Sequence, residues 1–263
     1  MRGITGGVVV LPAFALMVTG SGCSLPTAPP PGASAKVDWA SVAQGGLLYD
    51  KWWKVVEGAS EPKGNHPLWA SQSTNKAAGS ATWRCKECHG WDYKGKDGAY
   101  GKGSRRYTGF PGVWDGARKK SVAELTAFLA SSGNPTHNAF TGLRATDIAD
   151  LANFLKYGLV DMTTYVDYAT KTPVGGNAAR GKPPYDTLCA ACHGADGKKL
   201  NFGDAKKPEY VGTVAKDNPQ EFIHKTWVGQ PGSEPPMPSA LESGWSIQQV
   251  VDVLAHVQTL PVK

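Results

Sequence analysis

Cys-x-x-Cys-His occurs twice in this chain, at Cys85-Lys86-Glu87-Cys88-His89 and at Cys189-Ala190-Ala191-Cys192-His193. In such a pentapeptide two thiols can form thioether bonds to the vinyl groups of a haem, while the adjacent imidazole takes one axial position on its iron. The chain has five cysteines, and the two motifs use four of them. The fifth, Cys23, falls in the leader, so no cysteine is left for a disulfide or a catalytic thiol. A zinc site would most simply join both pairs on one ion. However, 100 residues separate the pairs, and each is followed by His and by a similar downstream pattern. A thioredoxin-like redox pair needs a βαβ setting that the pattern does not offer. The motifs therefore predict two covalent haems, held by Cys85 and Cys88 and by Cys189 and Cys192, with His89 and His193 as proximal iron ligands.

The first 22 residues carry one charge, Arg2, and an apolar run from Val8 to Val18, too short for a stable membrane span. Gly20-Ser21-Gly22-Cys23 follows and resembles the lipobox of bacterial lipoproteins, where the leader is cut before a Cys that is then lipidated. Gly20 departs from the usual bulky aliphatic residue. Residues 1–22 are thus expected to be a signal peptide, Cys23 a lipidation site, and the protein to be exported, either periplasmic or anchored to the outer membrane by lipid. The Pro-rich stretch 23–38 reads as an extended tether. Removing Arg2 lowers the formal net charge from +6 to +5, and four haem propionates would offset most of the rest. The basic balance is therefore weak support for nucleic-acid binding. The expected partners are redox proteins. A local cluster of Arg105, Arg106, Arg118, Lys119 and Lys120 reads as a solvated face or as a contact for propionates or an acidic partner.

Beyond the tether, one pattern is used twice. Gly45-Gly46-Leu47-Leu48-Tyr49-Asp50 parallels Gly181-Lys182-Pro183-Pro184-Tyr185-Asp186. In the second copy the Cys-x-x-Cys-His motif follows at once. In the first, about 32 residues, Trp53 to Arg84, intervene. Each copy has a short amphipathic segment (122–129 and 219–226) and closes with an apolar-periodic helix, predicted over 145–157 and 246–260. Strand alternation is lacking, so the fold class is all-α, with a prosthetic group at the centre of each small core.

On these motifs the chain resembles a dihaem cytochrome c with two tandem class I domains, broadly of the cytochrome c4 type. The expected boundaries are 39–160 for domain 1 (insertion about 53–84), 161–176 for a linker and 177–263 for domain 2. The resemblance implies a distal ligand, usually Met, in a loop before each closing helix. In domain 2, Pro235-Pro236-Met237-Pro238 supplies Met237, 44 residues after His193. In domain 1 no Met lies between His89 and the closing helix, and Met162 comes after it. Asn134-Pro135-Thr136-His137-Asn138 occupies the matching place, so His137 is expected as the distal ligand. His66, in the insertion, is the alternative, and an open five-coordinate iron is a third option. His224 and His256 lie on helices and read as surface or packing residues. Seven of the nine tryptophans fall in the first half and read as packing for the haem and the insertion.

The expected function is electron transfer, with a bis-His haem 1 of lower potential than a His/Met haem 2. The alternative class is a dihaem enzyme with an open or labile site at haem 1. A peroxidase-like enzyme needs that iron to be five-coordinate, and dihaem peroxidases are longer chains. A thiosulfate-dehydrogenase-like enzyme needs a Cys distal ligand, for which no cysteine remains.

Overall fold

Asp38 starts the first helix: its carboxylate accepts the backbone N–H groups of Ala40 and Ser41 at 3.1 and 3.2 Å. The computed structural model describes residues 36–132 and 142–263. Cys23, the leader, most of the tether and His137 therefore lie outside the described residues. Residues 37–263 form one compact unit.

Helix α1 (Trp39–Lys51) crosses α5 (Ala145–Asn153), and α7 (Ala178–Pro184) crosses α11 (Ile247–Val257). Each crossing rests on a glycine. A Cβ on Gly45 would lie 2.0 Å from the Asp150 carbonyl oxygen, and one on Gly181 would lie 1.9 Å from that of Asp252. Only a residue without a side chain lets the backbones approach so closely. Ser246 and Gln249 cap α11 reciprocally, as Ser121 and Glu124 cap α4 (Val122–Ala127).

The two Cys-x-x-Cys-His motifs form short helices, α2 (Cys85–His89) and α8 (Ala190–His193). Helices α3 (Trp114–Arg118) and α4 complete the first copy, and α9 (Val211–Asp217) and α10 (Pro219–Val228) the second. Between the copies, α6 (Met162–Tyr165) leads into a two-stranded antiparallel ribbon, β1 (Val166–Asp167) and β2 (Thr172–Pro173), the only sheet among the described residues. The fold is otherwise helices and loops, as an all-α class requires. No described helix is long and apolar enough to cross a membrane.

The insertion folds as two 3₁₀ turns, Pro67–Ser71 and Gly79–Trp83. It is stitched by Trp69 Nε1 donating to the Ala77 carbonyl (2.9 Å) and Trp83 Nε1 to that of Gly64 (3.0 Å). Asn75 ties it to the first motif by donating to Glu87 Oε1 at 2.9 Å.

Candidate haem sites

Around each motif the chain repeats the same hydrogen bonds. Tyr49 Oη donates to the Gly90 carbonyl at 2.7 Å, and Tyr185 Oη to that of Gly194 at 2.8 Å. Gly90 and Gly194 end their helices with φ of 80° and 84°. Six residues after each His, an N–H returns to that His carbonyl: Gly95 to His89 (2.8 Å) and Lys199 to His193 (2.9 Å). Asp92 accepts the N–H of Lys94, and Asp196 that of Lys198. Gly197 takes φ 74°, and at the equivalent place Tyr93 takes φ 65°. The closing helices also match. The Phe154 ring sits 5.7 Å from Tyr49, and the His256 ring 5.1 Å from Tyr185, each four residues after the Asp whose carbonyl meets the crossing glycine.

The first motif opens on a cavity of about 480 Å³ lined mainly by apolar side chains, together with Cys85, Cys88, His89, His66 and Tyr49. That volume falls in the roughly 300–1,000 Å³ range of cofactor pockets. His89 Nδ1 lies 2.7 Å from the Pro111 carbonyl oxygen. A carbonyl can only accept, so Nδ1 carries the proton and Nε2 keeps its lone pair, the arrangement a metal-binding imidazole requires. Burial pushes the Cys85 and Cys88 thiols up to about 12. Among the described residues no group of three or more His, Cys, Asp or Glu is placed to hold a metal ion. A covalent haem thus fits the donor set and the cavity, whereas zinc does not.

The second motif is more open. Cys192, Leu188 and Phe202 are exposed, and the Phe202 ring lies 6.0 Å from His193. These apolar side chains at a thiol pair are what a haem face would cover. Burial pushes the Cys189 thiol up to about 11 and pulls the His193 imidazole down. His193 Nδ1 is buried with no hydrogen-bond partner among the described residues, in contrast to His89. Met237 lies in a loop stitched to α10. Its N–H donates to Ser233 Oγ (2.9 Å), Ser239 Oγ donates to the Trp227 carbonyl (2.9 Å), and Ala240 N–H to that of Thr226 (3.0 Å).

Helix α10 also serves the first copy. His224 is fully buried there: Tyr93 Oη lies 2.9 Å from its Nδ1, and the Gly46 carbonyl 3.1 Å from its Nε2. Since the carbonyl can only accept, Nε2 donates and Nδ1 accepts from Tyr93. Burial pulls this imidazole down to about 4, so it is neutral. Of the sequence expectations for His224, packing holds and surface exposure does not.

Next to it, Asp50 is fully buried and pairs with Arg84 and with Lys225 (3.3 Å). Burial alone would raise its carboxyl, but Lys225 and Arg84 outweigh that and hold it well below the usual range. Burial, then the like charge of Arg84, pulls Lys86 down to about 8, with Glu87 opposing. Three cations face the buried Trp91 ring: Lys86 at 5.3 Å, Arg84 at 5.5 Å and Lys225 at 5.6 Å. The basic cluster divides. Arg105 is exposed, Arg106 pairs with Glu87 at 3.7 Å, Arg118 covers Trp114, and Lys120 lines the cavity. Sequence reasoning missed the Asp50 pairing, the role of Pro111 and the Tyr93 and Gly46 partners of His224. The doubled His-Gly-x-Asp, His89 to Asp92 and His193 to Asp196, was a further signal of equivalent sites.

Residues 178–261 match the family model Cytochrome c. No curated protein and no solved structure matches the chain. About a third of the chain is therefore a cytochrome c domain, a module that holds haem c covalently and carries electrons.

Proposed function

We propose that the chain is a dihaem c-type cytochrome that carries electrons between redox partner proteins outside the cytoplasm. One observation carries the first haem. In the first copy the Gly45 crossing, the Tyr49–Gly90 bond and the return of Gly95 to His89 repeat the Gly181 crossing, the Tyr185–Gly194 bond and the return of Lys199 to His193 in the matched domain. Bound haem would supply one-electron exchange between ferric and ferrous iron. The residues set its terms. Cys85, Cys88, Cys189 and Cys192 would hold the two groups covalently, and His89 and His193 would be the proximal ligands. Met237 and His137 are the proposed distal ligands, giving His/Met at haem 2 and bis-His at haem 1.

Two features favour a lower potential at haem 1. A thioether stabilises ferrous iron more than an imidazole does. The Pro111 carbonyl also makes His89 the more basic proximal ligand, and His193 Nδ1 meets no such acceptor among the described residues. Electrons would run from haem 1 to haem 2. The cleaved leader, lipidation at Cys23 and placement in the periplasm or at the outer membrane belong to the same reading. Mass spectrometry of the mature protein tests it: two covalent haems and a lipidated N-terminal Cys are expected. Low-temperature EPR of the oxidised protein is expected to show one bis-His and one His/Met low-spin signal. A single haem, or a high-spin haem 1, would overturn the assignment, and a high-spin haem 1 would favour an enzyme.

A further inference from the structure

The loop that carries Met237 belongs to the second copy, but it stands on the first. Its two ends return to the last turn of α10. Beyond Met237, Ser239 Oγ and the Leu241 N–H donate to the Trp227 carbonyl, and the Ala240 N–H to that of Thr226. Before it, Ser233 Oγ accepts the Met237 N–H at 2.9 Å and donates to the Gln230 carbonyl at 3.0 Å. That same turn of α10 is held from the first copy. Trp227 Nε1 donates to the carbonyl of Gly158, just beyond α5, at 3.2 Å. Val228 packs against Gly46 of α1, where a Cβ would lie 2.5 Å from Val228 Cγ1. Lys225 Nζ donates both to the buried Asp50, at 3.3 Å, and to Gln230 Oε1 in the loop. Gly229 takes φ 98°, and a Cβ there would lie 2.8 Å from the Met237 carbonyl oxygen and 3.5 Å from Leu47 Cδ2.

The loop has little core of its own, since Glu234, Pro235, Pro236 and Pro238 are exposed. Ordering a residue costs about 1–2 kcal/mol, and a thioether is a weak donor of its lone pair. Such a ligand keeps its place only where the chain beneath it is already fixed. We infer that the first copy positions Met237: Gly46, Leu47 and Asp50, acting through Val228, Gly229 and Lys225, are positioning residues for the distal ligand of haem 2. This rests on reading Met237 as that ligand. The ligation of haem 2, and with it the potential, is then set across the boundary between the copies.

Imidazole binding to the oxidised, full-length holoprotein tests the inference. Imidazole competes with Met237 for the haem 2 iron, so its affinity reads how often the thioether lets go. Gly46→Ala drives a methyl into Val228. It is expected to raise that affinity about tenfold, within the cost range of one overpacked methyl. The far-red iron–sulfur band of ferric haem 2 should weaken, while the haem 1 EPR signal and the far-UV circular dichroism stay unchanged. Val228→Ala in the same chain makes room for the methyl and should restore most of the wild-type affinity. Leu47→Ala withdraws a half-buried side chain from Gly229 and should raise the affinity about threefold, which keeps the test open if Gly46→Ala misfolds. Gly45→Ala overpacks the α1–α5 crossing instead, so it should cost stability and leave imidazole affinity alone. Equal effects of Gly45→Ala and Gly46→Ala would mean general loosening and overturn the inference. Met237→Leu separates the two readings. It should abolish the far-red band and the His/Met EPR signal. If they persist, the ligand assignment falls, and this inference with it. If they vanish while Gly46→Ala and Leu47→Ala leave imidazole affinity unchanged, the inference alone falls.

Discussion

The two Cys-x-x-Cys-His helices share a backbone frame and differ in almost everything around it. In α2 the intervening residues, Lys86 and Glu87, are buried, and the adjoining Asp50 is fully enclosed. In α8 they are Ala190 and Ala191, and the equivalent Asp186 is exposed and pairs with Lys182 in solvent. The difference has an identifiable origin. Helix α10 of the second copy lies over the first, bringing His224, Lys225 and Val228 against Tyr93, Asp50 and Gly46. The insertion closes another side through Asn75. Nothing among the described residues covers the second motif in the same way. One frame can thus sit in an enclosed, charge-laced setting or a solvent-facing one.

The comparison breaks most decisively at the thiols. Cys85→Ala with Cys88→Ala is expected to remove one haem and to destabilise the whole unit, because it empties a cavity inside the shared core. Cys189→Ala with Cys192→Ala removes the other haem and leaves the first copy folded. Haem absorbance and thermal unfolding of each variant read both effects. Asp50→Asn strands Arg84 and Lys225 and should cost about 3–5 kcal/mol. The equivalent Asp186→Asn should cost less than about 1 kcal/mol. Denaturant unfolding of the two variants checks that asymmetry, and similar losses would refute it. The glycine crossings should behave alike: Gly45→Ala and Gly181→Ala each force a Cβ into a carbonyl and are expected to lose about 1–3 kcal/mol or more.

The effect of His224 is seen as a pH dependence. Its pKa lies at about 4 in the folded protein and at about 6.5 in an unfolded chain. The unfolded state therefore binds the proton first. Stability is fully present above about pH 6.5 and declines as pH falls toward about 4, by up to roughly 3 kcal/mol in total. His224→Leu should lower stability at pH 7, because Tyr93 Oη and the Gly46 carbonyl lose their partner, and should flatten the profile across that window. A variant with the wild-type slope would show that another group carries it.

Much of the frame was legible because it is local. The doubled Gly45 and Gly181, Tyr49 and Tyr185, and the doubled pentapeptide sit at fixed spacings, and the structure gives each pair the same bonds. The cost of a left-handed residue was half legible. Gly197 supplies it freely, while Tyr93 bears a strain of about 1–2 kcal/mol that its bond to His224 and its burial help to offset. That bond spans 131 residues, and no local spacing could announce it. His66 was legible as a ligand candidate, but only the Leu68 N–H at its Nδ1 shows which nitrogen holds the proton.

The sequence by itself determined that two thiol pairs, each with a neighbouring imidazole, recur in one repeated helical frame, because those relations are set by short spacings along the chain. The tertiary structure decided that the two copies share a core, which motif is enclosed by charges and which faces solvent, and what holds each imidazole. Those outcomes depend on partners from 12 to 178 residues away, whose approach is fixed by glycine crossings and buried pairs, which sequence spacing alone does not reveal.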